Sequence, residues 1–137
     1  MTAPENEVHI IDKNTFKVTH TQHGPHTVVG LQGDFDVYSA PALREVLWPL
    51  AANARGNLIV VVDSQRRAME FFDSTCLGVL IGALRKFQAS GHGIHVVDAP
   101  DGMLRKIFRI AGLSRVMPVH EHLNEAIAAA PHHGQAD

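Results

Sequence analysis

Two stretches near the start of the chain alternate between apolar and polar positions. Phe16, Val18 and His20 alternate with polar residues, which predicts a half-buried β-strand. A Gly-Pro turn follows, and residues 26–31 then predict the partner strand of a hairpin. The earlier stretch 8–11 is also apolar, and it predicts either a short strand or a segment packed on the surface.

Later apolar runs lack this alternation. Residues 58–62 form a continuous, mostly β-branched run, which is typical of a strand buried on both faces of a parallel sheet. Shorter runs at 94–97 and 116–119 predict two further strands. Pro118 has no N–H for a strand ladder, so the last strand is expected at an edge of the sheet.

A helical spacing of apolar residues predicts the first helix up to about Ala52. Ser39 is a candidate N-cap, and Pro41 lies near the first helical position, where a missing N–H costs little. Pro49 falls inside the pattern and is expected to kink the helix or to end it early.

A second helix begins around 73–75 and runs to about Ser90. Asp, Ser and Thr favour helix starts because their side-chain oxygens accept hydrogen bonds from first-turn amides. Gly78 and Gly82 lie one turn apart, which predicts that something approaches this helix closely. Two more helices are predicted after 98–101 and around 123–130, and Gly112 is expected to stop the earlier of them.

The predicted order is ββαβαβαβα, which indicates an α/β fold with a mixed sheet and helices packed on it. Residues 1–13 are expected to be an N-terminal extension. Residues 14–130 form the single predicted domain, and 131–137 a disordered tail.

Composition narrows the function classes. The chain has 137 residues, 45% hydrophobic and 19% charged, with a formal net charge of −2, which gives no electrostatic case for direct nucleic-acid binding. No apolar run is long enough for a membrane helix, and the first residues lack the pattern of a secretion signal. The single cysteine excludes an intramolecular disulfide. We therefore expect a cytoplasmic protein, as a monomer or a weak dimer.

Ser74 is the candidate site of chemistry, with a structural cap as the alternative. A hydroxyl at a helix N-terminus lies at the positive end of the helix, where added negative charge is tolerated. The chain has neither a Gly-x-Ser-x-Gly elbow nor a phosphate-binding Gly-x-x-x-x-Gly-Lys-Ser/Thr loop. We therefore expect no enzyme, no catalytic residue and no cofactor.

Three other groups of residues have competing interpretations. Cys76 is either a redox sensor with a lowered pKa or a small, partly buried helix residue. Arg66 and Arg67 either meet an acidic partner or a phosphate, or lie in a solvated loop. Close pairs of histidines allow metal binding, but no Cys or carboxylate framework completes a site, so we expect no metal and a solvated surface position. These histidines are His20, His23, His26, His92, His95, His120 and His122.

Three segments together resemble the STAS domain, and within it the bacterial anti-sigma factor antagonists. Residues 33–36, Gly-Asp-Phe-Asp, with the helix start at 39–43, are similar to the family's Gly-Glu-Leu-Asp turn. Residues 72–78 are similar to its phosphorylation motif Asp-Ser-Ser/Thr-Gly-Leu-Gly. The third match is a Gly-Leu segment with the apolar residues after it, within 110–119.

This resemblance implies a partner switch in which the chain is a substrate. The unphosphorylated antagonist binds an anti-sigma factor that is also a serine kinase. Phosphorylation of Ser74 with ATP releases that factor, and a serine phosphatase restores the complex. The implied partner-binding residues are Asp36, Val37, Tyr38, Asp73, Thr75 and Cys76. For Asp36 the alternative is an Asx turn before the helix.

The chain departs from the family pattern at two places. Cys76 stands where the family usually has Gly, and its side chain is expected to crowd a partner at closest approach. The segment 63–70 is about two residues longer than usual and is basic. These departures are consistent either with a divergent partner or with the alternative function, a STAS interaction scaffold or ligand-sensing module that is not phosphorylated.

Overall fold

The computed structural model describes residues 9–13, 15–65 and 67–129, and it contains the predicted strands and helices in the predicted order. One further strand, at 9–12, comes first, as one of the two interpretations of that segment predicted; Val8 and the predicted tail 131–137 lie outside the described residues. The elements are β1 His9–Asp12, β2 Phe16–His23, β3 His26–Gly33, α1 Ala40–Ala52, β4 Leu58–Val62, α2 Ser74–Ala89, β5 Ile94–Val97, α3 Met103–Ala111, β6 Val119–His120 and α4 Leu123–Ala129.

The strands form one mixed sheet in the order β1-β2-β3-β4-β5-β6. The first three strands are antiparallel, and β3 to β6 are parallel. The continuous apolar strand β4 lies inside the sheet, between β3 and β5, as its sequence predicts. The strand β6 lies at an edge, directly after Pro118, which confirms the prediction from that proline.

The main core lies between one face of the sheet and the helices α1, α2 and α3. Alternate strand residues such as Leu58 and Val60 face this core, while Ile59 faces the other side with Val97 and Ala126 of α4. The largest fully buried side chains are Phe35, Phe87, Phe108, Leu31, Leu43, Leu47, Leu58, Ile59, Leu80, Ile94, Leu104 and Met117.

The two glycines of α2 differ in what lies beside them. A Cβ at Gly82 would come within 2.7 Å of the Trp48 ring of α1, so the predicted close approach is present there. A Cβ at Gly78 would meet nothing within 4 Å, so this glycine leaves an open place on the helix surface.

Pro49 does not end α1 early, because the helix continues to Ala52. The early end was therefore a wrong expectation, although the predicted boundary at Ala52 is correct. The Asn53 side chain donates to the Pro49 carbonyl at 3.0 Å and so satisfies a carbonyl at the helix end.

The parallel strands give the sheet two chemically different edges. Their first residues form the amino edge, where His26 and Asn57 lie at or just before the starts of β3 and β4. Their last residues form the carboxyl edge. The segments 34–39 and 63–73 leave β3 and β4 at this edge and lead into α1 and α2.

Candidate phosphorylation and partner-binding site

The backbone joins the two segments that carry the first two motifs. Phe35 and Phe72 form an isolated parallel bridge. The Phe35 amide donates to the Phe71 carbonyl at 2.9 Å, and the Asp73 amide donates to the Phe35 carbonyl at 2.8 Å. The Phe35 ring packs against Phe16 and Phe72, with centroids 5.3 and 5.9 Å away. The start of α2 is therefore fixed beside the loop that contains Asp36.

Asp73, rather than Ser74, caps α2. The Asp73 backbone is extended, and its carboxylate accepts a hydrogen bond from the Thr75 amide at 3.4 Å. Ser74 is the first residue of the helix and is exposed. The interpretation of Ser74 as a structural cap is therefore wrong, and its hydroxyl lies at the positive end of α2. Its role as phosphoacceptor stays a prediction.

Asp36 organises its own loop, as the Asx-turn interpretation predicts. Its Oδ1 accepts hydrogen bonds from the Tyr38 amide at 2.9 Å, the Ser39 amide at 3.1 Å and the Ser39 hydroxyl at 3.0 Å. Ser39 precedes α1, but its side chain does not cap the helix, because its backbone is helical rather than extended. Ser39 therefore occupies the predicted N-cap position, but the expected side-chain cap is not formed.

Cys76 is fully buried, and its Sγ donates to the Asp36 carbonyl at 3.2 Å. Burial, and to a lesser extent the nearby carboxylates of Asp73 and Asp36, raise the pKa of its thiol to about 11. The hypothesis of a redox sensor with a lowered pKa is therefore wrong. The expectation that this side chain crowds a partner is also wrong, because it points into the protein and links α2 to the Asp36 loop.

Exposed apolar side chains occur in both motif loops. The exposed fractions of Tyr38, Phe71 and Val37 are 86%, 51% and 50%. Together with Ser74, Thr75 and Gly78, which are also exposed, we call these residues the switch surface. Clustered exposed apolar side chains are typical of protein–protein contacts.

The segment 63–70, whose two arginines are balanced by Asp63 and Glu70, is anchored to the first motif by Asp34, a residue that the sequence did not single out. Asp34 Oδ1 accepts hydrogen bonds from the Glu70 and Phe71 amides at 2.8 and 3.1 Å, and Oδ2 pairs with Arg67 at 3.1 Å. The Arg67 side chain therefore meets a carboxylate of its own chain. Arg66 lies outside the described residues.

The histidines do not occupy the expected surface positions throughout. His26 and His95 are buried, so the solvated default is wrong for these two. The structure also brings together His95 and His120, which are far apart in sequence and whose rings stack with Nδ1 and Nε2 3.0 Å apart. Nothing in the periodicity of the sequence indicates this pair, because it joins β5 to β6.

The part of the chain that the structure describes contains neither a metal-binding cluster nor a membrane-spanning helix. No three His, Cys, Asp or Glu side chains of that part come together in a way that could hold a metal ion. None of its helices combines the length and the apolar character that a bilayer crossing requires.

Comparison with known proteins identifies the family. A family model described as "Mlab, STAS domain" matches residues 18–125. The anti-sigma-B factor antagonist of Bacillus subtilis is 33% identical over 91 residues, which cover 66% of this chain and 78% of that protein. The anti-sigma-B factor antagonist of Staphylococcus aureus is 29% identical over 93 residues, covering 68% of this chain and 82% of that protein.

Solved structures share the fold. An anti-sigma factor antagonist from Mycobacterium paratuberculosis superposes with a TM-score of 0.71 at 22% identity, over 96% of this chain and 99% of that one. The phosphorylated form of SpoIIAA from Bacillus gives a TM-score of 0.59 at 22% identity, over 83% and 97%. The family match, supported by this shared fold, shows that the chain belongs to the STAS domain family.

Proposed function

We propose that this protein is an anti-sigma factor antagonist that acts by partner switching in the cytoplasm. In its unphosphorylated state it binds an anti-sigma factor that is also a serine kinase, and the sigma factor is released. Phosphorylation of Ser74 ends that binding, and a serine phosphatase reverses the modification. The observation that carries the proposal is an exposed Ser74 hydroxyl at the N-terminus of α2, within the switch surface.

A phosphate at this position changes binding without unfolding the domain. Phosphorylation adds a charge of about −1.5 to −2 and three acceptor oxygens. The free amides of the first helical turn and the helix dipole stabilise such a charge in the unbound protein. In a complex the same charge must leave water beside the carboxylates of Asp36 and Asp73, which is unfavourable.

The two departures from the family pattern do not obstruct the proposed contact. The Cys76 side chain is buried beneath the surface, and the segment 63–70 is held against Asp34 at one end. Partner contact is therefore proposed for the exposed residues Val37, Tyr38 and Thr75, while Asp36, Asp73 and Cys76 act by shaping the surface. This arrangement supports the antagonist over the scaffold or ligand-sensing alternative.

Intact mass after incubation with the cognate anti-sigma kinase and ATP tests the proposal. We expect one added phosphate on the wild type and none on Ser74→Ala, whereas Ser64→Ala, a matched exposed serine at the same edge, is labelled like the wild type. Ser74→Asp should lose kinase binding and keep its circular dichroism spectrum. Equal labelling of Ser74→Ala, or no labelling of the wild type, contradicts the proposal.

A further inference from the structure

The Asp34 carboxylate joins two segments that are more than thirty residues apart in the sequence. One oxygen accepts from two consecutive backbone amides, those of Glu70 and Phe71, and the other oxygen pairs with Arg67. Hydrogen bonds to a charged acceptor are stronger than those between neutral groups. The Asp34 side chain is 27% exposed and that of Arg67 is 48% exposed, so both partners of the ion pair contact water, and an ion pair in such a position contributes little.

Asp34 is itself held in a fixed position before it meets the second segment. Its amide donates to the Thr15 carbonyl at 3.0 Å. Gly33, the residue before it, has φ +88° and lies so close to the Thr15 carbonyl that a Cβ would clash with it. The carboxylate is therefore presented by a constrained backbone at the end of β3.

The anchored amides lie just ahead of Ser74. Ser74 is three positions after Phe71, so the chain spans at most about 10 Å between them. Within this span, Phe71 and Asp73 are hydrogen-bonded to Phe35, the residue after Asp34. A displacement of the Glu70 and Phe71 backbone would therefore be transmitted to the first turn of α2.

We propose that Asp34 is the positioning residue of the phosphoacceptor: its two amide contacts fix the backbone that presents Ser74, and the Arg67 ion pair is a minor addition. This inference rests on the proposed function for the meaning of Ser74. It adds that the position of Ser74, in the motif at 72–78, is fixed by a carboxylate of the motif at 33–36.

Three variants separate the hydrogen bonds from the charge. Asp34→Asn removes the charge and the ion pair but keeps an oxygen for the two amides. Asp34→Ala removes the charge, the ion pair and both amide contacts, and Arg67→Ala removes only the ion pair. Asp63→Ala is the matched control, because the described contact of this carboxylate is local, from the Gln65 amide at 3.1 Å.

The first measurement is hydrogen exchange and amide NMR on the free proteins, and it needs no kinase. In Asp34→Ala the Glu70 and Phe71 amides should exchange about tenfold to a hundredfold faster, and the Ser74 and Thr75 resonances should shift. Arg67→Ala, Asp34→Asn and Asp63→Ala should leave the Ser74 and Thr75 resonances near their wild-type positions. Unchanged Ser74 signals in Asp34→Ala, or equal changes in Asp34→Asn, would overturn the inference.

The second measurement is the rate of Ser74 labelling by the cognate kinase. We expect a drop of about tenfold in kcat/KM for Asp34→Ala and about twofold or less for Asp34→Asn, since only the former loses the amide contacts. Equal rates for wild type and Asp34→Ala would also overturn the inference. A wild type that is not labelled at all refutes the proposed function instead, and the NMR result then still decides whether Asp34 positions this backbone.

Discussion

The two edges of the parallel sheet fix backbone segments with different chemistry. At the carboxyl edge, the carboxylates of Asp34, Asp36 and Asp73 accept hydrogen bonds from loop amides. All three are partly exposed, and each accepts hydrogen bonds from amides in or near the two motif loops. Charges in contact with water can acquire a further charged neighbour at modest cost.

At the amino edge, neutral side chains buried in the protein accept the hydrogen bonds from backbone amides. His26 Nδ1 accepts from the Asn57 amide at 3.0 Å, and Asn57 Oδ1 accepts from the Gly93 amide at 2.8 Å. The exposed fractions of His26 and Asn57 are 6% and 2%. The part of the carboxyl edge that is proposed to receive a phosphate, at the ends of β3 and β4, therefore uses partly solvated carboxylates, whereas the amino edge at His26 and Asn57 uses buried neutral groups.

Phe35→Ala should cause the largest loss of stability, because the backbone at the carboxyl edge also depends on a buried aromatic ring. Truncating a fully buried Phe costs about 3–5 kcal/mol, and here it also removes the ring that packs against Phe16 and Phe72. The measurement is urea unfolding. The matched variant Phe71→Ala, with a half-exposed ring, should cost about 1 kcal/mol or less. Equal losses in both variants would contradict this account.

Asn57→Ala tests the amino edge and should cost about 1–3 kcal/mol, because the buried Gly93 amide loses its acceptor. Chemical unfolding measures the loss. Asn53→Ala is the control, since Asn53 is exposed and bonds only locally to Pro49, and it should change stability by about 0.5 kcal/mol. A neutral Asn57→Ala would mean that the amino edge does not depend on this contact.

The pH dependence of stability should distinguish the edges further. Burial lowers the pKa of His26, and the nearby His23 and His92 lower it more. Above the ordinary histidine pKa of about 6.5 the ring is neutral in both states and has no effect. As pH falls through that value the unfolded chain takes up the proton first, so stability falls by up to about 1.4 kcal/mol per pH unit until the folded pKa is reached.

His26→Gln isolates this contribution from that of Asp98, whose pKa is raised by burial. The stability difference between the wild type and His26→Gln should shrink between pH 7.5 and pH 5.5. His122→Gln, at an exposed position, should show a constant difference from the wild type. Parallel curves for all three proteins would rule out the assigned role of His26.

The smallest effect is expected for thiol chemistry at the carboxyl edge. With a pKa of about 11, only about one in a thousand Cys76 side chains is a thiolate at pH 8. Because the thiol is also buried, iodoacetamide should leave the native protein unmodified by intact mass, while protein in urea is alkylated. Rapid alkylation of the native protein would show that the loop above Cys76 opens.

Periodicity predicted the order of the elements from β2 to α4, but it left β1 undecided and placed the last strand at 116–119, whereas β6 spans only Val119–His120. The apolar run of β4 has no polar position, so an interior strand was the favourable placement. The cap residues and glycines located the start of α2 and the end of α3 to within a few residues. The place of Ser74 at the start of α2 followed from the same local chemistry, while its proximity to the Asp36 loop was implied only by the resemblance to the family.

Contacts between distant segments could not be predicted in this way. The Asp34 anchor and the His95–His120 pair join residues that become neighbours only when strands or loops pair. Cys76 points inward because of how α2 is rotated relative to the Asp36 loop. The identity of a single residue does not indicate that rotation. Serine is a common capping residue, but the Ser39 hydroxyl donates a hydrogen bond to the Asp36 carboxylate and does not cap α1.

At Gly78 a substitution that stabilises the fold is expected to weaken binding to a partner. Replacing a helical Gly by Ala typically stabilises a helix by about 1 kcal/mol, and here the added methyl would meet no atom of the protein. Under the proposed function, the same methyl would stand on the switch surface, where it would keep a partner's backbone away. At Gly82 the Trp48 ring already forbids a side chain. A search for thermostable variants would therefore select alanine at Gly78, and the improved protein would be a weaker antagonist.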